Sequence, residues 1–414
     1  MEWRIRDVVC VFVLIASEFM PISLLTPVAS DLAISEGQAG QAIAMSGVGA
    51  VLTSLLISTV AAQRDRKSVL LWMTALIAVS GALIGMAPNF GVYMAGRVLI
   101  GIAIGGFWSM SAASAMRLVP APQVPRALAI FNGGNALATV IAAPVGNYLG
   151  SIIGWRGTFL CLVPVALIAL MWQMASLPSM RDTPAHHGQS VFTLLTRPVV
   201  VYGMAGAGLF FMGQFALFTY LRPFLETVTG IGRGTLSLLL LVVGVSGVAG
   251  TTVIGRFVSS GLYRTLIAIP ALMALVAVAL IVWGDQLTPT SFLLGAWGFL
   301  ATAAPVAWWS WVARTLPDEA EAAGGLMVAV IQFAIAMGSS AGGALFDAMG
   351  YGSTFAASAI LLLASSALTA LTGRTVTQRA SQLVDCGGGN QVRRFLRHGD
   401  DGGVDVSHRA IRQH

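Results

Sequence analysis

The sequence predicts an all-α polytopic membrane protein with twelve transmembrane helices in two pseudo-symmetric six-helix bundles. Three observations predict this fold: charged residues form only 10% of the chain, long apolar stretches recur along it, and its two halves repeat. A soluble protein keeps about a quarter of its residues charged, because its surface must face water. Lipid must therefore solvate most of this chain.

Twelve apolar segments are long enough to cross a bilayer, which takes roughly 20 residues of helix. The predicted spans are 8–30, 39–62, 68–88, 92–116, 125–149, 156–177, 199–221, 235–258, 264–284, 290–314, 323–346 and 353–372. They divide the chain into an N-terminal six-helix bundle (1–177), a cytoplasmic linker (178–198), a C-terminal six-helix bundle (199–372) and a disordered cytoplasmic tail (373–414).

The distribution of basic residues predicts that both termini face the cytoplasm. Without the tail, 12 basic residues fall on the side of the N-terminus, and 3 fall on the other side (Arg156, Arg222 and Arg233). Short loops rich in Lys and Arg are translocated poorly, so the richer side is predicted to be the inner one.

The net charge of +6 does not indicate nucleic-acid binding, because the basic residues form no stripe with interleaved aromatic residues. The three cysteines lie far apart, and all five histidines fall outside the predicted spans. The sequence thus predicts no metal site and no cofactor. His186 and His187 could bind metal adventitiously, or simply belong to a solvated linker. A membrane-embedded enzyme would need clusters of His, Asp or Glu within the spans, which the sequence lacks.

The two halves align at one constant offset of 196 residues. At this offset Glu18-Phe19 falls on Gln214-Phe215, and Pro27 falls on Pro223. Further matches are Ala138, Ala142 and Gly146 with Ala334, Gly338 and Gly342, and Gly154, Thr158 and Phe159 with Gly350, Thr354 and Phe355. Duplicated six-helix halves indicate a transporter whose site lies near the bilayer midplane, where the halves meet.

Several motifs resemble those of the major facilitator superfamily. The basic loop Arg64-Asp65-Arg66-Lys67 resembles the superfamily's loop motif, although its usual leading glycine is absent. Arg97 with Gly101 and Gly105 resembles the fourth-helix motif of proton-driven members. The stretch 143–146, followed by 154–156, resembles the antiporter motif of exporters. Together they resemble the drug:proton antiporter-1 family over residues 5 to about 375.

Two longer stretches, 105–120 and 309–332, are similar to the bacterial purine ribonucleoside exporter branch of that family. The resemblance implies a monomeric, multi-pass protein of the bacterial inner membrane. It would export a small solute in exchange for protons by alternating access, with the proton gradient as its energy source. The implied substrates are purine ribonucleosides or their analogues.

Glu18 is the candidate proton-coupling residue. Among 17 acidic residues it alone sits near the middle of a predicted span, where a charge costs at least roughly 2.5 kcal/mol. A carboxyl group at this depth can take up a proton on one side and release it on the other as its hydration changes. The alternative is a protonated Glu18 that hydrogen-bonds a neighbouring helix.

Arg97 is the second proton-coupling candidate, on the strength of the motif resemblance alone. Its backbone is predicted to lie nearer the outer surface than that of Glu18 by about 10 Å, so a direct bridge between them is not expected without a kink at Pro21. Asp31 is the third proton-coupling candidate; Asp31, or backbone carbonyl groups, could partner Arg97 instead. The other interpretation of Arg97 is a snorkelling or structural arginine.

Polar amides and aromatic rings supply the candidate substrate-binding residues. An amide both donates and accepts hydrogen bonds, which suits an uncharged nucleobase, and an aromatic ring can stack on a base. These candidates are Gln214, Gln332, Asn135, Trp108, Trp308 and Phe215. Tryptophans near span ends are often interfacial anchors instead, and Trp311 is predicted to be one.

The candidate gating residues are Arg64, Asp65, Arg66 and Pro144. The first three would tie helix ends together at the inner gate, or act only as topology-setting charges. Pro144 would bend helix 5 within a strip of small residues that favours close packing. Two alternatives remain open on the same fold: an exporter of drugs or sugars, and a transport-inactive membrane sensor.

Overall fold

The computed structural model describes residues 2–61, 65–118, 124–177, 194–316 and 319–385, and these parts of the chain are helical apart from short turns. The helices are α1 (Glu2–Ser23), α2 (Leu25–Asp31), α3 (Glu36–Ala61), α4 (Arg66–Gly85), α5 (Phe90–Leu118), α6 (Val124–Ser176), α7 (Pro198–Phe218), α8 (Leu221–Thr227), α9 (Arg233–Trp283), α10 (Leu287–Thr315), α11 (Ala320–Met349) and α12 (Tyr351–Asp385).

Two long helices each correspond to two predicted spans. Helix α6 breaks at Gly154, which has φ 74°, a conformation that favours glycine, and α9 breaks at Gly261. Within the described residues nine helices are long and apolar enough to cross a membrane, or ten if α1 and α2 form one bent span. With the breaks in α6 and α9 counted, the helices follow the twelve predicted spans.

The lateral surface of the helix bundle, parallel to the helix axes, is apolar. Large hydrophobic side chains are exposed along it, among them Phe292 (78%), Ile360 (67%) and Leu275 (65%). Contiguous exposed apolar surface of this kind is unfavourable in water and favourable against lipid tails. The described helices therefore present a lipid-facing surface, as the composition predicts.

The halves contact each other mainly through α3 with α11 and α6 with α9, and to a smaller extent where α11 meets α5 and where α8 meets α1 and α2. The described polar contacts between the two halves lie either at the level of Glu18 or nearer the end that contains the turns at 32–35, 219–220 and 284–286. We call this the predicted outer end, because the basic-residue count assigns it to the outside. The halves are joined there in this structure.

Some predicted features lie outside the described residues or extend past their predicted bounds. Residues 178–193 of the linker, residues 386–414 of the tail, and Arg64 are not described, and neither is the side chain of Asn135. Helix α12 continues to Asp385, beyond the predicted end of span 12 at residue 372. The prediction that Trp311 is an interfacial anchor is wrong, because its ring is 1% exposed and its Nε1 donates to Tyr263.

Candidate functional site

Glu18 lies between the two halves, with its side chain directed inward. It is 9% exposed, and the Gln332 side chain of α11 donates from Nε2 to its Oε1 at 3.3 Å. Helix α1 brings Glu18 from the first half, and α11 brings Gln332 from the second. The carboxyl group is thus placed where a relative movement of the halves changes its surroundings.

Arg97 is fully buried and makes three hydrogen bonds within the first half. Its Nε donates to the Ala42 carbonyl at 3.1 Å, Nη1 to the Ser17 carbonyl at 2.9 Å, and Nη2 to Ser46 Oγ at 3.0 Å. Backbone carbonyls are therefore its main partners, as one of the two alternatives predicted. The snorkelling interpretation is wrong, because the guanidinium group is held away from any surface.

Asp31 does not partner Arg97. Its carboxylate pairs with Arg156, and Trp155 Nε1 donates to it at 3.2 Å. The Arg156 guanidinium lies over the Trp155 ring at 4.3 Å and also donates to the Ala87 carbonyl. Asp31 thus joins α2 to α6 at the predicted outer end, and Arg156 connects this pair to the turn that follows α4. These contacts give Asp31 a structural role.

The symmetry-related positions of the two halves meet at the centre. Phe19 of α1 and Phe215 of α7 have ring centroids 6.1 Å apart, and Phe218 packs edge-on against both. Beside Phe215, the Gln214 side chain buries its Oε1, which finds no hydrogen-bond partner among the residues that the structure describes. A buried acceptor without a donor costs about 1–3 kcal/mol. Such a group is expected where a ligand supplies the donor.

The other predicted substrate residues differ in their surroundings. Gln332 already uses its amide to bind Glu18, and Phe215 is 4% exposed within the aromatic cluster. Trp308 is 2% exposed and packs edge-on against Trp311, with little ring surface for a base. Trp108 is only partly buried against the core of the first half.

The predicted gating residues lie at helix ends or within helices. Asp65 is the N-cap of α4 and accepts from the Lys67 backbone amide at 2.9 Å, and Arg66 is the first residue of that helix. Pro144 is buried inside α6. Asp65 thus has a clear local role, because a carboxylate cap stabilises the N-terminus of a helix.

The sequence analysis missed Tyr220, Arg222 and Asp347, which link the halves at the predicted outer end. Each lies at the end of a helix, where polar residues normally face water. In the sequence they look like ordinary residues at helix ends and loops, so their role in linking the halves cannot be recognised there.

A helical membrane protein whose two related halves enclose a buried carboxyl group has the architecture of a secondary transporter. The family model for the Major Facilitator Superfamily matches residues 8–339, and the chain belongs to that family. The predicted fold is thereby confirmed. The chain is a multi-pass membrane protein of a transporter family and not an enzyme.

Two curated relatives cover most of the chain. The "Transcription regulatory protein OpdE" of Pseudomonas aeruginosa is 59% identical over 89% of this chain and 92% of its own length. The "Purine ribonucleoside efflux pump NepI" of Salmonella typhimurium is 40% identical over 87% of this chain and 91% of its own length. The predicted resemblance to the purine ribonucleoside exporter branch is confirmed.

Solved structures agree on the fold. A D-xylose-proton symporter has a TM-score of 0.71 at 15% identity, covering 89% of this chain and 96% of its own. A bacterial homologue of the human lysosomal transporter Spinster, in an inward-facing and occupied conformation, has a TM-score of 0.71 at 15% identity, covering 90% and 96%. At this identity the likeness concerns architecture alone.

Proposed function

We propose that this protein exports purine ribonucleosides or their analogues across the bacterial inner membrane in exchange for protons. The observation that carries the proposal is the Glu18–Gln332 hydrogen bond, which places a titratable group between the halves. Glu18 would bind a proton when it is accessible from outside and release it to the cytoplasm. Arg97 would hold α1 and α3 in place around it.

The choice of substrate is supported by the 40% identical efflux pump and by the chemistry of the centre. Gln214 offers an acceptor that has no donor among the described residues, and Phe19 and Phe215 form an apolar aromatic cluster beside it. A nucleoside carries both N–H or O–H donors and a planar base. Asn135, Trp108 and the gating residues Arg64, Asp65, Arg66 and Pro144 remain proposals within this mechanism.

The protein would act as a monomer with both termini in the cytoplasm. It would need no bound cofactor, because the proton gradient supplies the energy.

Transport in inside-out membrane vesicles tests the function directly. With an imposed pH gradient, acid inside, we expect radiolabelled inosine or guanosine to accumulate, and a protonophore to abolish the accumulation. Unlabelled drugs and sugars serve as competitors. If a sugar or drug is transported instead, the coupling part of the proposal stands and the substrate part does not.

A second candidate is a membrane sensor without transport, because the 59% identical relative is named a transcription regulatory protein. A sensor would bind its ligand in detergent solution without accumulating it in vesicles. Binding of a nucleoside with no flux under any imposed gradient would favour this candidate over the exporter.

Gln214→Leu should weaken nucleoside binding yet stabilise the protein. The change removes a buried acceptor that has no donor, so the thermal midpoint in detergent should rise by roughly 3 °C or more. The loss of a ligand hydrogen bond should raise the nucleoside KM about tenfold. Flux kinetics and thermal unfolding measure the two effects.

Gln173→Leu is the matched control. The Gln173 amide oxygen already accepts from Thr74 at 2.8 Å in the interior of the first half. This variant should lower the thermal midpoint and leave the nucleoside KM unchanged. A Gln214→Leu variant that is destabilised, with an unaltered KM, would remove Gln214 from the substrate site.

A further inference from the structure

Asp347 of α11 caps helix α3 of the opposite half. One carboxylate oxygen accepts from the Gly37 backbone amide at 3.0 Å, and the other accepts from Ser35 Oγ at 2.5 Å. Gly37 belongs to the first turn of α3 and Ser35 immediately precedes it, at the helix end where free amides and the helix dipole attract a negative charge. The local cap of α3 is Ser35, whose Oγ accepts from the Gln38 amide at 3.0 Å, and Asp347 adds a carboxylate from the other half of the molecule to it.

Tyr220 lies beside this cap and fills the space between α3 and α11. Within its own half its hydroxyl donates to the Ser339 carbonyl at 2.8 Å and its ring stacks on Phe346, with centroids 5.3 Å apart. The same hydroxyl lies 3.5 Å from the Gly37 carbonyl of α3, in the other half. A Cβ atom at Gly40 or Gly343 would collide with the tyrosine hydroxyl. The two glycines therefore make room for a side chain that bridges the halves.

Arg222 of α8 makes a third link. Its guanidinium donates to the Ser23 carbonyl at the end of α1 and to Glu226 at 2.9 Å. Helices α1 and α2 meet at an angle of 65°, so the carbonyls at the end of α1 lack part of their normal intrahelical partners. The arginine of one half thus caps the broken helix of the other.

We propose that Asp347, Tyr220 and Arg222 form an outer latch that holds the halves together at the predicted outer end, with Asp347 as the residue that releases it. Asp347 is exposed to solvent, whereas Tyr220 and Arg222 are buried. Water can replace the contacts of an exposed carboxylate at little cost, so this link can break and re-form in each cycle.

The inference extends the proposed function, but its first test needs no substrate. Ala336 lies against Gly47 at the α3–α11 contact and is 6% exposed, so a cysteine there reports opening. In a background in which the native cysteines Cys10, Cys161 and Cys386 are replaced by serine, an impermeant maleimide added outside should label Ala336→Cys slowly. Adding Asp347→Ala should speed the labelling about tenfold, because both cap contacts are lost.

Asp285→Ala is the matched control, since Asp285 is also exposed at the predicted outer end. It should leave the labelling rate of Ala336→Cys unchanged. Equal labelling rates with and without Asp347→Ala would overturn the proposal. Monodisperse elution in detergent shows that each variant has folded.

A cross-linking test covers the case in which Asp347→Ala fails to fold. Ser35→Cys and Asp347→Cys are joined by a short, cleavable thiol-reactive reagent, and transport is measured before and after cleavage. We expect cross-linked protein to lose transport and cleaved protein to recover it. Undiminished transport by cross-linked protein would show that this contact never opens. Because the labelling test uses no nucleoside, failure of the substrate proposal leaves the latch separately testable.

Discussion

Glu18→Gln should reduce pH-driven nucleoside accumulation to the level of vesicles without the protein, while nucleoside binding is retained. Glutamine has nearly the same shape as glutamate, and its amide oxygen can still accept the hydrogen bond from Gln332 at the interface between the halves. It cannot bind and release a proton, so the proton gradient cannot drive nucleoside transport through it. Accumulation and equilibrium binding are measured on the same preparation.

Asp285→Asn is the control for this experiment, because it neutralises an acidic residue that is exposed at the end of α9. It should transport as the unmodified protein does. The Glu18 variant should still carry out gradient-free exchange of labelled for unlabelled nucleoside, since exchange needs no net proton movement. Accumulation that persists in Glu18→Gln would place the coupling group elsewhere and remove the main support for the proposed mechanism.

The internal repeat predicted contacts at the centre of the protein, between the two halves, better than the individual motifs did. The alignment placed Phe19 opposite Phe215, and the structure brings their rings within 6.1 Å. Equivalent positions on two symmetry-related helices converge when both helices line the axis between the halves. The partner of Glu18 could not be found in this way, because Gln332 lies on α11, which the symmetry does not relate to α1.

Other contacts depend on side-chain reach and on packing between halves. The depth estimate for Arg97 counted helix rise alone, although its long side chain extends to the Ser17 carbonyl beside Glu18. Asp347 lies at the end of a predicted span, where a carboxylate normally faces water. Only the approach of α3 shows that it caps the other half. Sequence periodicity contains neither kind of information.

Arg97→Lys should impair both stability and transport, although it preserves the charge. The guanidinium group reaches three acceptors that lie in different directions, two on α3 and one on α1. A lysine ammonium group on a single flexible stem cannot reproduce that fork. Hydrogen bonds to charged groups contribute about 1.5–3 kcal/mol, so losing one or two should lower the thermal midpoint by roughly 5 °C or more.

The glycines that follow Arg97 bring α5 close to α3. A Cβ atom at Gly101 would collide with the Ser46 carbonyl, and one at Gly105 would collide with the Ala50 carbonyl. The absence of side chains lets α5 approach α3 closely enough for Arg97 to reach the Ala42 carbonyl. The motif that resembles proton-driven transporters is therefore also a packing motif in this chain.

The two roles of Arg97 predict different results for Arg97→Lys, with Arg256→Lys, an exposed arginine in α9, as control. If Arg97 positions α1 and α3 around Glu18, exchange and pH-driven accumulation should fall together, each about tenfold or more, along with the thermal midpoint. If it takes part directly in proton coupling, accumulation should fall while exchange and stability persist. Its three hydrogen bonds, all to neutral groups of α1 and α3, favour the positioning role.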